Sequence, residues 1–314
     1  MNKIFKVIWS KSKQCYVVVS EMAKNKTGKK KIVVASILAA LAMQTAGITD
    51  VAAAAGDLPS ASFANGTVAS GKTNGLAIGN AANSGSNQSV AIGYFSEATS
   101  PEVAPAALPA TAVGAGAKAK GYSTVALGLS AVAEADSATA LGSKTSATGD
   151  RSVAVGINAA ATADSAIALG SKTSATGDRS VAVGISAEAK GRYASTLGAE
   201  ASAVGNATAV GAKSIASQDA AVAVGTDSKA TGNYASALGA DATASNNDAT
   251  AFGHGTVASG ASSTALGSRA KTGAVAGVGI GMLATATNQY GVAIGGESSS
   301  TADNSIAIGR KSSA

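Results

Sequence analysis

Few residues of this chain are of the types that carry out catalysis or hold a metal. His254 is the only histidine and Cys15 the only cysteine among 314 residues. A transition-metal site needs several nitrogen, sulfur or carboxylate ligands together, and a serine nucleophile needs a histidine base within reach. No two carboxylates align along one strand, as sugar cleavage would require. The sequence therefore predicts a protein that is not an enzyme and that uses no metal or cofactor.

The glycines, in contrast, are placed with great regularity. Seventeen of them recur with 14-residue spacing in fourteen of sixteen intervals, the others being 21 and 13 residues. A fixed short period over about 230 residues predicts a solenoid, in which each repeat packs only against its neighbours. Residues 277–281 look like a phosphate loop but belong to this series. These ladder glycines are Gly79, Gly93, Gly114, Gly128, Gly142, Gly156, Gly170, Gly184, Gly198, Gly211, Gly225, Gly239, Gly253, Gly267, Gly281, Gly295 and Gly309.

Each 14-residue repeat, here called a rung, has room for two short strands and two turns. A strand advances about 3.3 Å per residue, whereas each glycine inside a helix would cost about 1 kcal/mol. The alternation in Val153-Ala154-Val155 is typical of a strand. The sequence therefore predicts an all-β fold with parallel rungs over residues 60–314.

Alternation puts the branched side chains on one face of the first strand and alanines on the other. We expect the larger side chains to fill the core of one chain opposite small alanines of the second strand. The alanine face would then be an exposed stripe that like chains cover by association. The predicted core residues are Val153, Val155, Leu169, Val181 and Val183. The predicted contact between chains contains Ala154, Ala168 and Ala182.

A second regular position lies seven residues after a ladder glycine. Glycine occupies it in seven rungs and asparagine in two, and both residues tolerate a positive φ. We therefore predict a left-handed residue there, as at Gly149. His254 directly follows a ladder glycine, where the residue type varies, and is predicted to be an exposed turn residue.

Residues 1–55 differ from the rest of the chain. They contain nine lysines and two acidic residues, whereas the remainder contains 15 basic and 16 acidic residues. The net charge of +6 therefore belongs to this segment and does not indicate nucleic-acid binding. Three lysines at 29–31 precede an apolar run at 32–43 and small residues at 51–55. This pattern predicts an export signal cleaved near Ala55, with an N-terminal membrane anchor as the alternative.

The segment before this signal resembles the extended signal peptide region of large Gram-negative autotransporters. The resemblance lies in residues 1–10 and 15–21, with Tyr16 where the family has an aromatic residue. It implies export by the Sec machinery and a type V secretion route. A mature chain without cysteine suits a protein that crosses two membranes unfolded.

The repeat itself resembles the YadA-like head of trimeric autotransporter adhesins. Residues 89–93 and 305–309 match its Ser-Val-Ala-Ile-Gly core, and 152–156 and 180–184 differ by one exchange. The resemblance implies a left-handed parallel β-roll of 14-residue repeats, with three chains side by side in a homotrimer. It divides the chain into a removed signal peptide (1–55), the start of the head (56–75) and the head itself (76–314). The family's stalk and C-terminal outer-membrane anchor are expected beyond Ala314, and the alternative is a truncated gene product.

Two irregularities interrupt the repeat. The 21-residue interval contains Pro101, Pro105 and Pro109. Because proline cannot donate a ladder hydrogen bond, residues 97–109 are predicted to form a loop.

Segments 135–157 and 163–185 differ at one position only, so a charged set recurs about 10 Å apart on an outer face. This set is a candidate ligand site, or alternatively a solvated face, and consists of Lys144, Asp150, Arg151, Lys172, Asp178 and Arg179.

Together these features favour a cell-surface adhesin head. It would bind host matrix, host cells or other bacteria through weak contacts that recur on every rung. The alternative is a structural spacer or a self-aggregation module of a biofilm, with the ligand site in another segment. The near-neutral mature chain argues against a nucleic-acid partner.

Overall fold

The computed structural model describes residues 5–10, 15–20, 61–63, 75–101 and 108–314. The chain divides into two units, residues 1–51 and 52–314. In the first unit, the strands Phe5–Ser10 and Cys15–Ser20 pair antiparallel. The predicted export signal and its cleavage point near Ala55 lie outside the described residues. No helix within the described ranges is long and apolar enough to span a membrane.

The second unit is a parallel β-solenoid in which a rung contributes one three-residue strand and one two-residue strand. The three-residue strands pair in parallel, each with the corresponding strand of the next rung. We call them the long-strand sheet. They are Ala61–Phe63, Leu76–Ile78, Val90–Ile92, Thr111–Val113, Val125–Leu127, Thr139–Leu141, Val153–Val155, Ile167–Leu169, Val181–Val183, Ser195–Leu197, Thr208–Val210, Val222–Val224, Ser236–Leu238, Thr250–Phe252, Thr264–Leu266, Val278–Ile280, Val292–Ile294 and Ile306–Ile308.

The two-residue strands form a second parallel sheet of 16 strands, the short-strand sheet. A first turn leads from each long strand to a short strand, and a second turn leads from the short strand to the next long strand. The short strands are Asn83–Ser84, Glu97–Ala98, Lys118–Ala119, Val132–Ala133, Ser146–Ala147, Ala160–Ala161, Ser174–Ala175, Glu188–Ala189, Ser202–Ala203, Ile215–Ala216, Lys229–Ala230, Thr243–Ala244, Val257–Ala258, Lys271–Thr272, Thr285–Ala286 and Ser299–Ser300.

The 14-residue period of the sequence is the register of both sheets. Ala154 pairs with Ala168 in the long-strand sheet, and Ala147 pairs with Ala161 in the short-strand sheet. Like residues therefore stack on like residues along the roll. The predicted β-roll of 14-residue repeats is confirmed.

The core consists of alanine, and this reverses the predicted faces. The inward-facing alanines of both sheets are 0–2% exposed within a single chain, as at Ala154 and Ala147. Val153 and Val155, which flank Ala154, are only half-buried and point outwards. The prediction was therefore wrong in placing the branched side chains Val153, Val155, Leu169, Val181 and Val183 in the core. It was also wrong in placing Ala154, Ala168 and Ala182 at a contact between chains.

The reason for the reversal is the thinness of the roll. The inward position of the long strands carries nothing larger than threonine, and that threonine, Thr196, is 2% exposed. Hydroxyl side chains fill the ends of the core, and many of them bond to the turn. Thr145 Oγ1 donates to the carbonyl of Gly142 at 2.9 Å, and Ser228 Oγ donates to that of Gly225 at 2.9 Å. A core of this kind holds side chains no larger than threonine, so it has no room for leucine or isoleucine, and the larger apolar side chains lie on the outer face.

Ala154→Phe is therefore expected to destabilise the fold of each chain. A phenyl group cannot enter a closed alanine layer without moving the sheets apart, which costs about 1–3 kcal/mol or more. Urea unfolding followed by circular dichroism measures the loss. The matched control is Ser146→Phe, because the Ser146 side chain lies on the outer side of the short-strand sheet. Equal unfolding midpoints for the two variants would contradict an alanine core.

The turns place left-handed residues where the sequence did not indicate them. Gly149 lacks a positive φ, and the left-handed residue is Arg151, two positions later, with a φ of 56°. In the first turn the corresponding residue is Lys144, also at 56°. Gly149 is required for another reason, because a Cβ there would run into the carbonyl group of Ala163 in the next rung. The predicted left-handed glycine at this position was therefore wrong.

The predicted loop at 97–109 begins too early. Glu97–Ala98 forms a strand that pairs with Lys118–Ala119, and the N–H of Thr99 still donates to the carbonyl of Ala119 at 2.7 Å. The roll resumes at Ala110, whose carbonyl accepts from Val90 at 2.9 Å. The seven extra residues therefore lie between Thr99 and Ala110, and residues 102–107 are outside the described part.

Candidate functional site

The outer face of the long-strand sheet carries an unbroken column of apolar side chains. The third residue of every long strand from 76 to 308 is valine, leucine, isoleucine or phenylalanine. Each of them is half-buried or exposed in the single chain. We call this the apolar column: Ile78, Ile92, Val113, Leu127, Leu141, Val155, Leu169, Val183, Leu197, Val210, Val224, Leu238, Phe252, Leu266, Ile280, Ile294 and Ile308.

The neighbouring column, formed by the first residue of each long strand, is mixed. Seven of its members carry a hydroxyl group. Because the apolar column lies next to the first turn and the mixed column next to the second turn, the two margins of this sheet differ in polarity. The hydroxyl-bearing members are Thr111, Thr139, Ser195, Thr208, Ser236, Thr250 and Thr264.

The apolar column is the strongest candidate for a protein contact surface. Soluble monomers rarely expose a continuous apolar patch of more than a few hundred Å². Phe252 is 51% exposed and Leu197 is 54% exposed, and the column runs along all the described rungs from residue 76. The sequence reasoning assigned the contact to the other face of the same strand, which the structure shows to be the buried face.

The six predicted ligand residues are exposed but do not form one group. Lys144 and Lys172 lie in first turns, whereas the aspartate–arginine pairs lie in second turns. First and second turns form opposite edges of the roll, because each joins the two sheets at a different end of the strands. The structure therefore brings the two aspartate–arginine pairs, Asp150-Arg151 and Asp178-Arg179, onto one edge and separates them from the lysines.

Aspartate has a structural role on the second-turn edge that the sequence reasoning missed. The Oδ1 atom of Asp164 accepts a hydrogen bond from the backbone N–H of Asp150 at 3.2 Å, and Asp136 accepts from Tyr122 at 3.0 Å. Asn247 does the same for Asn233 at 3.2 Å. The signal was the repeated Asp or Asn directly after the second regular position. These side chains tie one turn to the next.

Arg179, Arg192 and Tyr193 form a cluster on the same edge. Arg179 Nη1 donates to the Tyr193 hydroxyl oxygen at 2.7 Å. The guanidinium carbon of Arg192 lies 4.8 Å from the centroid of the Tyr193 ring, and that of Arg179 lies 5.6 Å from it. Such contacts hold an aromatic ring in one orientation. Because Arg179 and Tyr193 are 14 residues apart, only the stacking of rungs brings them together.

His254 is an exposed turn residue, as predicted. Its Nε2 atom lies 3.8 Å from Asp241 Oδ2, and both side chains are solvent-exposed. Among the residues that the structure describes, no three or more histidine, cysteine, aspartate or glutamate side chains are grouped so that they could hold a metal ion.

These features define a β-roll built from sequence repeats, whose outer surface carries the apolar column and two polar turn edges. The chain belongs to the YadA-like trimeric autotransporter adhesins. The family model for the "Extended Signal Peptide of Type V secretion system" matches residues 1–48. The model for the "YadA head domain repeat (2 copies)" matches residues 69–96, 109–131, 119–145, 147–173, 175–201, 205–228, 219–242, 230–256, 244–270 and 286–312.

Comparison with solved structures gives a relative of the same kind. The collagen-binding domain of the Yersinia adhesin YadA is 33% identical over 43% of this chain and 67% of that domain, with a TM-score of 0.34. A comparison with curated proteins gives no match.

Proposed function

We propose that this chain is the head of a cell-surface adhesin of a Gram-negative bacterium. It is exported through Sec and the type V route and attaches the cell to host matrix, host cells or other bacteria. The observation that carries this proposal is the run of YadA head repeats over most of the chain, preceded by an extended signal peptide region.

The head works as a homotrimer in which the apolar column is covered by neighbouring chains. Family membership supports the number three, and the polarity of the long-strand sheet supports the choice of face. Covering the apolar column leaves the short-strand sheet available for a ligand, because its outward positions are mostly polar. The two aspartate–arginine pairs on the second-turn edge belong to this ligand-facing surface, and Lys144 and Lys172 offer separate contacts on the other edge.

Attachment is distributed along the rungs and depends on avidity. The described rungs contain no tryptophan, and we attribute most of the affinity to repeated weak contacts on three chains. Removing pairs of rungs, for example residues 142–169, keeps the 14-residue register. We expect cell and matrix attachment to fall gradually with each pair removed while the oligomer stays intact.

The measurement is attachment of the purified head, or of cells that display it, to surfaces coated with matrix proteins. Sedimentation of each shortened head controls for assembly. Clumping of displaying cells without any attachment to matrix or host cells would favour the alternative, a spacer or self-aggregation module. Deleting residues 103–109 removes the seven extra residues and leaves a five-residue turn. An abrupt loss of attachment on this deletion alone would place the ligand site in the inserted loop and contradict the distributed account.

A further inference from the structure

The single 13-residue interval of the ladder opens a gap in the second-turn edge. Five residues connect the short strand ending at Ala189 to the long strand beginning at Ser195, whereas four connect Ala203 to Thr208. The missing residue is the left-handed one, which is Tyr193 in the preceding rung and Ala220 in the following rung. Here Gly205 takes the left-handed conformation instead, with a φ of 68°. One side chain is therefore missing from the edge.

The shortened turn also interrupts the hydrogen bonds that join successive second turns. The N–H of Tyr193 donates to the Asp178 carbonyl at 2.9 Å, and that of Tyr234 donates to the Asp219 carbonyl at 2.9 Å. At the gap, the residue that would donate to the Arg192 carbonyl does not exist. Within the described residues, no hydrogen bond reaches that carbonyl or the N–H of Ala220. One backbone acceptor and one backbone donor are thus open on the two sides of the gap.

Two exposed tyrosines flank this gap. Tyr193 is 43% exposed and lies one rung before it, and Tyr234 is 63% exposed and lies two rungs after it. At about 4.8 Å per rung the two rings stand roughly 14 Å apart, with only the methyl group of Ala220 between them. Both tyrosines have φ near 60°, a conformation that favours glycine, asparagine and aspartate. Local backbone preference does not explain tyrosine at these positions, although contacts with Arg179 and Arg192 hold the ring of Tyr193 in place.

The polar groups beside the gap include both donors and acceptors. The side chain of Asn206 makes no hydrogen bond with any other described residue, and its backbone N–H donates to Asp219 Oδ1 at 3.2 Å. On the adjoining long strands Ser195 pairs with Thr208, so this margin of the sheet carries hydroxyl groups. Arg192 adds a guanidinium group and Asp219 a carboxylate, so the formal charges of these two residues cancel. The site is therefore amphipathic and has little net charge.

We propose that this gap is a carbohydrate-binding site for a short oligosaccharide of two or three sugar residues. The ring of Tyr234, and the part of the Tyr193 ring that Arg179 and Arg192 leave uncovered, would stack on the apolar C–H faces of pyranose rings. The amide, carboxylate and open backbone groups would bond to sugar hydroxyls. An extended peptide would need a run of free strand-edge groups, and the gap offers one donor and one acceptor. A nucleic acid would need an excess of positive charge. The inference rests on the adhesin function proposed above, because it names the ligand class of that surface.

Binding of the intact head to fluorescent di-, tri- and tetrasaccharides tests the proposal. The panel contains neutral hexoses, N-acetylhexosamines and carboxylated sugars. We expect one of these classes to bind, and Tyr193→Ser and Tyr234→Ser each to weaken binding about tenfold or more. Serine already occupies this turn position in other rungs, as at Ser165, so the fold should be kept. Tyr290→Ser is the matched control, since Tyr290 is 56% exposed at the same position of a five-residue turn and should not affect binding.

A single inserted serine provides a second test. Placed between Asn206 and Ala207, it restores a five-residue turn, fills the gap and supplies the missing N–H to the Arg192 carbonyl. We expect saccharide binding to be lost while the unfolding midpoint stays equal or rises.

The proposal is overturned if the wild-type head binds no saccharide, or if the serine insertion and both tyrosine variants bind as it does. Attachment to matrix and host cells is measured on the same proteins. If a head that binds no saccharide still attaches, only the carbohydrate site is contradicted. If the wild-type head attaches to nothing, the adhesin function is contradicted.

Discussion

Gly156→Ala is expected to destabilise the head by about 2–6 kcal/mol, which would unfold much of the roll. Gly156 has a φ of 131°, and all seventeen ladder glycines lie between 117° and 147°. An added Cβ would lie 2.6 Å from the carbonyl carbon of Gly170 in the next rung. Because that atom belongs to a backbone held in two sheets, it cannot move aside. The substitution therefore combines backbone strain with a steric clash.

A second glycine provides the comparison. Gly296 lacks a positive φ, and a Cβ there would meet no heavy atom closer than 3.9 Å, so Gly296→Ala should be nearly neutral. Urea unfolding should place the midpoint of Gly156→Ala well below that of Gly296→Ala, and equal midpoints would contradict the clash.

The sequence was sufficient to predict the solenoid because its period is also the register of the sheets. A residue and its partner in the next rung are 14 positions apart, as with Ala154 and Ala168, so periodicity alone pairs the strands. Periodicity did not show which face of each long strand points into the core. Alternation shows that valine and alanine lie on different faces, and the rule that larger side chains are buried then selects the wrong one.

The range of residue types at each position of the rung was a better indicator of the buried face. The inward position is alanine in fifteen of the seventeen long strands from 76 to 308, with Thr196 and Gly279 as exceptions. The outward first position ranges from serine to isoleucine. Only a position with limited space restricts residue size in this way, because a water-facing position accepts many sizes. The nearly invariant residue type therefore marks the core, even though it is small.

The charged site was predicted as one outer face from the duplicated segment, and the turns limit that prediction. Lys144 and Asp150 are six residues apart, yet a short strand intervenes and places them on opposite edges. Arg179 and Tyr193 are fourteen residues apart and share a hydrogen bond. In a roll of this kind a spacing of fourteen predicts contact better than a spacing of six. The gap beside Tyr193 follows from a one-residue deletion whose effect depends on the turn geometry.

The double variant Val155→Lys and Leu169→Lys is expected to abolish the proposed trimer. Both residues lie in the apolar column on adjacent rungs, and both are half-buried in the single chain. Lysine on this outward face can remain solvated in an isolated chain. In the trimer, each lysine would be an unpaired charge within an apolar contact, at a cost of about 3–5 kcal/mol. Because each of the three chains carries both lysines, the total cost of burying them is larger than for one chain.

Sedimentation velocity distinguishes the expected single-chain mass from the wild-type trimer. The matched control is Ser146→Lys and Ser174→Lys on the short-strand sheet, where Lys118 is already present at the corresponding position. It adds the same charge to the opposite sheet, and it should leave both the trimer and the unfolding midpoint unchanged. A trimer that survives lysines in the apolar column would show that the chains associate through another face. Dissociation of the control alone would assign the contact to the short-strand sheet, because the added charges would then be buried there.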